Sequence, residues 1–392
     1  MSEMTKQWIF PRPGAAWLAA LMWAPALAAA QAQGVSPTEI RLGTLQDLSG
    51  PLAGAGKQAL NGMRMRVEEI NAEGGIAGRQ LKLLVEDHAY DPKKAVLATQ
   101  KLVDRDGILM MIGTLGTATT LATVPLLTQK NIINFFPLTS AREAYDPPTP
   151  LKYAFVSSYF GQMRSEIPRL AKEKGSRKPC SLYQDDEFGL EILRGAEAGL
   201  KDDGRDLIEK TSYKRGATDF SSQVARLSAA SCDFVVLGTV VRETVAVMTE
   251  SRKIGFNPVF VGTAGAYTSA VPQLGGKDVE GLYATMSVEQ PYLDIGPPEL
   301  RKWAARYKEK YADDATVFSS YGYVIVDHFA RVARKVGPAL TTESFGKTLD
   351  GMTLPATYFG TGELTFSATK RLGSEVARLS QIRDGRWRVV DR

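Results

Sequence analysis

The chain of 392 residues has very little metal-binding or nucleophilic chemistry to offer: two cysteines, Cys180 and Cys232, and two histidines, His88 and His328. No Cys/His zinc cluster can be assembled from that set, although the count leaves an all-carboxylate Mg or Ca site open. The charge excess is equally slight, 48 Lys+Arg against 43 Asp+Glu for a net +5. No basic tract follows a phosphate backbone, so nucleic acid is not an expected partner. Beyond the N-terminal segment, no apolar run is long enough to span a bilayer. What remains is ordinary globular composition, 44% hydrophobic and 23% charged. At about 150 residues per domain, this length predicts two or three domains.

The N-terminal segment reads as targeting rather than fold. Residues 1–13 are polar and carry Lys6 and Arg12, residues 14–27 are uncharged and rich in Ala, Leu and Trp, and Ala28, Ala29, Ala30 and Ala32 follow. That succession is a secretory signal peptide with cleavage after Ala30 or Ala32. The apolar run is short for a membrane helix and is interrupted by Pro25. No cysteine near the cleavage point would take a lipid. The expectation is a leader over residues 1–32 and an exported, soluble mature protein.

From about residue 39, short β-rich runs alternate with helical patterns, the mark of βαβ units on a parallel sheet. Strands are predicted at 40–46, 81–85, 108–112 and 132–135, with helices at 56–71, from Asp91-Pro92 onward, and at 117–127. Asp91 suits an N-cap and Pro92 the first helical position. The Pro-rich stretch 145–150 breaks the series, and a second α/β set follows. Its helices fall at 162–174, 187–201, 220–229 and 242–254, and its strands at 181–184, 207–212, 234–237, 259–261 and 281–285. Long helices at 299–311 and 319–336 come next, the second with Ile325, Phe329, Val332 and Val336 on one stripe. The tail alternates in the β manner at 363–366 and 377–390. The architecture is therefore α/β, with two doubly wound parallel-sheet units.

Several motifs invite a catalytic reading that the residues do not sustain. Gly54-Ala55-Gly56-Lys57-Gln58-Ala59 fits G-x-G-x-x-A, but residues 47–53 separate it from the strand, where a dinucleotide loop begins at once. A helix-opening glycine loop is the plainer reading, and an NAD-dependent oxidoreductase is the alternative from another functional class. Neither histidine has a serine or cysteine motif beside it, so no nucleophilic triad is supported. Asp185, Asp186 and Glu187 suit a helix N-terminus better than an acid–base pair. Cys180 and Cys232 each precede a strand, first and third of the second unit, which lie side by side in a flavodoxin-like order. They are either a disulfide, which export permits, or two buried thiols.

The binding signal is in two loops of the first unit. Residues 113–120, Gly-Thr-Leu-Gly-Thr-Ala-Thr-Thr, follow the third strand and open a helix, where free amides and small hydroxyls favour an anion such as a carboxylate. Pro137-Leu138-Thr139-Ser140 follows the fourth strand at the same C-terminal edge.

Leu48-Ser49-Gly50-Pro51, the run from Ile70 to Gly78, Glu86-Asp87-His88-Ala89-Tyr90-Asp91-Pro92, Ile112-Gly113-Thr114, Asp219-Phe220 and Asp233-Phe234-Val235-Val236 together resemble the leucine/isoleucine/valine-binding group of periplasmic solute-binding proteins over residues 36–392. The resemblance implies the type I periplasmic binding fold, two lobes joined by three hinge crossings that close over a solute. The implied lobes are 36–155 with 288–357, and 156–287 with 358–392. It also implies no enzymatic activity and no cofactor, with handover of solute to the membrane permease subunits of an ABC importer. A ligand sensor feeding a regulator shares this fold.

Carried over by position, Thr117 and Ser140 meet a ligand carboxylate with backbone from Leu115 and Leu138. Ala55 stands where the family has an aromatic wall, and Phe188, Val240 and Ala264 line the other lobe. Amino-acid binders carry an acidic residue at the position of Ala264 to pair the ligand ammonium. Burying that ammonium unpaired costs several kcal/mol, so an apolar or aromatic carboxylic acid is favoured over a branched-chain amino acid. Tyr90 and Gly116 occupy the places of a disulfide common in the relatives. Arg242 and Tyr267, in loops expected to face the cleft, are further candidates for a carboxylate or hydroxyl.

Overall fold

The computed structural model describes residues 1–9 and 32–390. Residues 1–31 and 32–392 are separate units, and the first nine residues are exposed and without regular structure. The apolar run expected of a leader, at 14–27, lies outside the described residues.

In the larger unit, the first sheet comprises β1 (Glu39–Gln46), β2 (Gln80–Asp87), β3 (Met110–Ile112), β4 (Ile133–Phe135) and β5 (Lys152–Tyr153), all parallel in the order β2-β1-β3-β4-β5. Helices α1 (Ala53–Ala72), α2 (Pro92–Gln100) and α3 (Thr117–Gln129) connect them. As the sequence predicts, Asp91 caps α2, its carboxylate accepting from the Lys93 and Lys94 amides at 2.7 and 3.1 Å. The nearly all-apolar run at 81–85 would suit a strand covered on both faces. β2 is instead an edge strand, and four of its residues are only half-buried.

The second sheet has parallel strands β6 (Pro179–Gln184), β7 (Glu209–Tyr213), β8 (Phe234–Gly238), β9 (Val259–Gly262) and β10 (Tyr283–Met286), in the order β10-β9-β8-β6-β7. Helices α4 (Tyr159–Glu173), α5 (Glu187–Asp202), α6 (Ser221–Ala229), α7 (Val241–Lys253) and α8 (Ala270–Gly275) surround it. β8 reads Phe-Val-Val-Leu-Gly and is buried throughout, as a central parallel strand must be. β6 and β8 are neighbours, which brings Cys180 and Cys232 into a disulfide with Cα atoms 5.9 Å apart.

The chain then returns to the first lobe with α9 (Pro298–Tyr311), α10 (Val317–Val336) and α11 (Thr342–Asp350). α10 lies along α1 and buries Ile325, Phe329 and Val332, three members of the predicted stripe. A two-stranded ribbon, β11 (Thr353–Leu354) and β12 (Leu364–Thr365), follows. Finally β13 (Arg378–Arg383) and β14 (Arg386–Val389) extend the second sheet antiparallel from β10. The chain thus passes between the lobes three times. The last passage comes later than the expected boundary at 358. Phe366 packs on Phe136 and Tyr153 of the first lobe, and Leu372 still pairs with Ala154. Apolar alternation at 363–366 does not say which sheet a strand will join.

Candidate functional site

At the C-terminal edge of the first sheet, the loops leaving β3 and β4 continue the sheet's register for one more step. The Leu115 amide donates to Leu45 O at 3.0 Å and the Leu138 amide to Thr114 O at 2.8 Å, while Gly116 donates to Leu138 O at 3.2 Å. Past that step, α3 begins. The amide of Thr117, at its first position, has no acceptor among the described residues, as expected of a donor at a helix start, while that of Ser140 faces the Tyr159 hydroxyl. Thr117 Oγ1 and Thr139 Oγ1 are 2.7 Å apart and share a hydrogen bond. Small hydroxyls and an unpaired N–H group are therefore gathered at one place, beside the positive end of the α3 dipole.

These groups line a cavity between the lobes. The first lobe contributes Thr117, Thr139 and Ser140 together with Leu52, Tyr90, Phe318 and Tyr321. The second contributes Tyr159, Phe188, Val240, Ala264 and Gly265, and the first crossing passes along it at Phe155 and Val156. No lining residue is Asp, Glu, Lys, Arg or His. Burial pushes the Tyr159 phenol up to about 12 and the Tyr321 phenol higher still, so both remain neutral donors at any ordinary pH. Phe188 meets Tyr159 edge-on with centroids 5.2 Å apart.

Of the residues singled out from the sequence, Leu115, Thr117, Leu138, Ser140, Phe188, Val240 and Ala264 come together in this cavity. Leu115 and Leu138 line it, yet their amides are consumed by the sheet extension. The free backbone donor is that of Thr117 instead, since the Ser140 amide meets the Tyr159 hydroxyl. Ala55 and Arg242 line a wider outer cleft that shares only Leu52 and Phe318 with the cavity, and Arg242 is exposed there at the start of α7. Tyr267 is not in the cleft. Its hydroxyl accepts from the Gln290 amide at 3.2 Å and its ring packs on Trp387, inside the second lobe.

Sequence reasoning missed Leu52, Thr139, Phe155, Tyr159, Phe318 and Tyr321 as wall residues. Thr139 stood within the loop that was singled out. Phe318 and Tyr321 carried no signal, because they sit on the first two turns of α10, more than 170 positions from Ser140 in the chain, and only the fold brings them across.

The rejected motifs have structural explanations. Gly56 lies against the loop before α1, where a Cβ would come 1.9 Å from Asp47 O, so glycine is needed there for backbone approach rather than for a phosphate. His88 Nδ1 accepts from the Tyr90 amide at 2.9 Å, and burial holds its pKa below the usual range. His328 is buried against Phe136, both ring nitrogens lack a partner, and burial lowers its pKa to about 4. Asp186 caps α5 and pairs with Arg215 at 2.6 Å, while Asp185 pairs with Lys214.

Residues 39–386 match the model of a family described as periplasmic binding protein. The chain belongs to that family, which has the type I periplasmic binding fold and whose members are solute receptors, not enzymes. The oxidoreductase alternative has no support. The Leu/Ile/Val-binding protein of Escherichia coli K12 is 28% identical over 287 residues, 72% of this chain and 76% of that protein. Among solved structures, a fatty acid ABC transporter substrate-binding protein from Thermomonospora curvata superposes with a TM-score of 0.84 at 21% identity, covering 92% of this chain and 93% of that one. A possible leucine/isoleucine/valine-binding protein from Rhodopirellula baltica gives 0.83 at 18% identity, covering 93% and 98%.

Proposed function

We propose that the protein is an exported receptor that captures a small apolar or aromatic carboxylic acid by lobe closure and delivers it to the permease subunits of an ABC importer. Export follows from the signal-peptide pattern of residues 1–32, with cleavage after Ala30 or Ala32. The observation that carries the ligand class is the wall of the cavity. The free Thr117 amide and the hydroxyls of Thr117, Thr139 and Ser140 suit a carboxylate, and no acid stands in the cavity to neutralise an ammonium. An amino acid would bury that ammonium unpaired, at a cost of several kcal/mol. The Escherichia coli relative is named for branched-chain amino acids, and the Thermomonospora curvata neighbour for fatty acids. The uncharged wall, with Ala264 facing the ligand space, favours an acid without an amino group.

Closure must be driven by contacts made only when both lobes touch the ligand. A swing from about 1% to 99% closed needs roughly 5.5 kcal/mol of differential affinity, within reach of a few buried hydrogen bonds and one apolar group. A thermal-shift screen of the mature protein against amino acids, aromatic and aliphatic acids, amides and urea tests the assignment. Carboxylic acids without an amino group should raise the unfolding midpoint by mass action. A response confined to amino acids or to amides would reject it.

A further inference from the structure

Tyr90 belongs to the first lobe, in the loop after β2, with φ at 56°. Its ring lines the ligand cavity and lies against Gly116, where a Cβ would come 2.7 Å from Tyr90 Cε2. A side chain at Gly116 would therefore displace the ring. The second lobe grips the same residue from outside the cavity. Arg215, in the loop after β7, donates from Nη1 to the Tyr90 carbonyl at 3.2 Å, and its guanidinium carbon stands 4.8 Å from the ring centroid.

Arg215 is itself held by Asp186, at 3.2 Å from Nε and 2.6 Å from Nη2. Asp186 accepts from the Gln184 carboxamide at 2.6 Å and from the amides of Phe188 and Gly189, which fixes it at the N-terminus of α5. Phe188, two residues on, faces the same cavity from the second lobe. Arg215 thus ties the two cavity walls away from the three crossings, as Arg142 of the first lobe also does by pairing with Glu191 of α5 at 2.7 Å.

We propose that Arg215 is a closure-positioning residue. By bridging Asp186 of the second lobe to the Tyr90 backbone and ring of the first, it stabilises the closed form and sets the Tyr90 ring against the ligand. The placing of the ligand rests on the function proposed above, whereas the latch does not. The bond is charge-assisted and partly shielded, the kind that is strong enough to shift a two-state equilibrium. Lys214 is the control. It pairs with Asp185 of its own lobe, is largely exposed, and has no hydrogen bond or ion pair to the first lobe among the described residues.

The test is single-molecule energy transfer between dyes on the two lobes of the ligand-free protein, together with the dissociation rate of 3-phenylpropionate as probe. Arg215→Met should lower the closed fraction and speed probe release about tenfold, while Lys214→Met leaves both at wild-type values. Arg215→Lys, which keeps the charge but loses the fork, should fall between them and serves if the methionine variant does not fold. A closed fraction equal in wild type and both Arg215 variants would overturn the latch. If the probe fails to bind even the wild type while the closed fraction still falls, the latch stands and the ligand assignment fails.

Discussion

The two lobes share an α/β plan but bring different chemistry to the cavity. The first presents the hydroxyls of Thr117, Thr139 and Ser140 and the unpaired amide at the start of α3. The second presents Phe188, Val240 and Ala264, with no charge and a single phenol, that of Tyr159. The difference separates two tasks. On the proposed function, a polar head group is held by the first lobe while the cleft is open, and the second lobe reads the apolar remainder on closing. The lobes also differ in how they are built: the second is stapled by Cys180–Cys232, and the first buries His328 with no hydrogen-bond partner.

The staple gives the largest contrast. It closes a separation of 52 residues, for which loop-closure entropy gives about 4 kcal/mol. A Cys180→Ser, Cys232→Ser double variant should lose most of that in denaturant titration, with the second lobe unfolding first. Equal loss of protection in both lobes by hydrogen exchange would break the comparison.

Next comes acid. The folded pKa of His328 is depressed to about 4, below an unfolded value near 6.5. Its contribution is therefore fully present above about pH 6.5 and is lost as the unfolded chain takes up the proton on the way down to pH 4, by about 3 kcal/mol. His88, buried and depressed in the same direction, adds to the slope. Urea titrations between pH 7 and 4 should show the decline, and a His328→Leu variant should flatten it. An unchanged slope in that variant would place the acid sensitivity elsewhere.

The smallest effects concern single contacts. Ser140→Ala should weaken carboxylate binding about tenfold by calorimetry, since a buried charged group loses one donor. Arg242→Ala should change it by no more than about twofold, because the arginine is exposed in the outer cleft. The reverse ranking would move the head group out of the inner cavity.

Much of this was legible in the chain because parallel-sheet units announce themselves locally. Asp91-Pro92 starts a helix wherever it is placed, and loops 113–120 and 137–140 fall at strand ends by simple counting. Short elements were not legible. β5 has two residues, α8 has six, and α11 buries only Phe345, Gly346 and Leu349, too few for a periodic signal. Side-chain direction in loops was lost as well. Nothing near Tyr267 says that its ring turns toward Trp387, nor near Arg242 that it stays outside. The far wall, Phe318 and Tyr321, is assembled by the packing of α10 along α1, which no local pattern encodes.

The most direct measurement compares a ligand pair differing only in the amino group, phenylalanine and 3-phenylpropionate, titrated calorimetrically into wild type and an Ala264→Glu variant. The wild type should bind the deamino acid at least tenfold more tightly, since phenylalanine buries an unpaired ammonium, and the new carboxylate should reverse that order. Tighter binding of phenylalanine by the wild type would contradict the account.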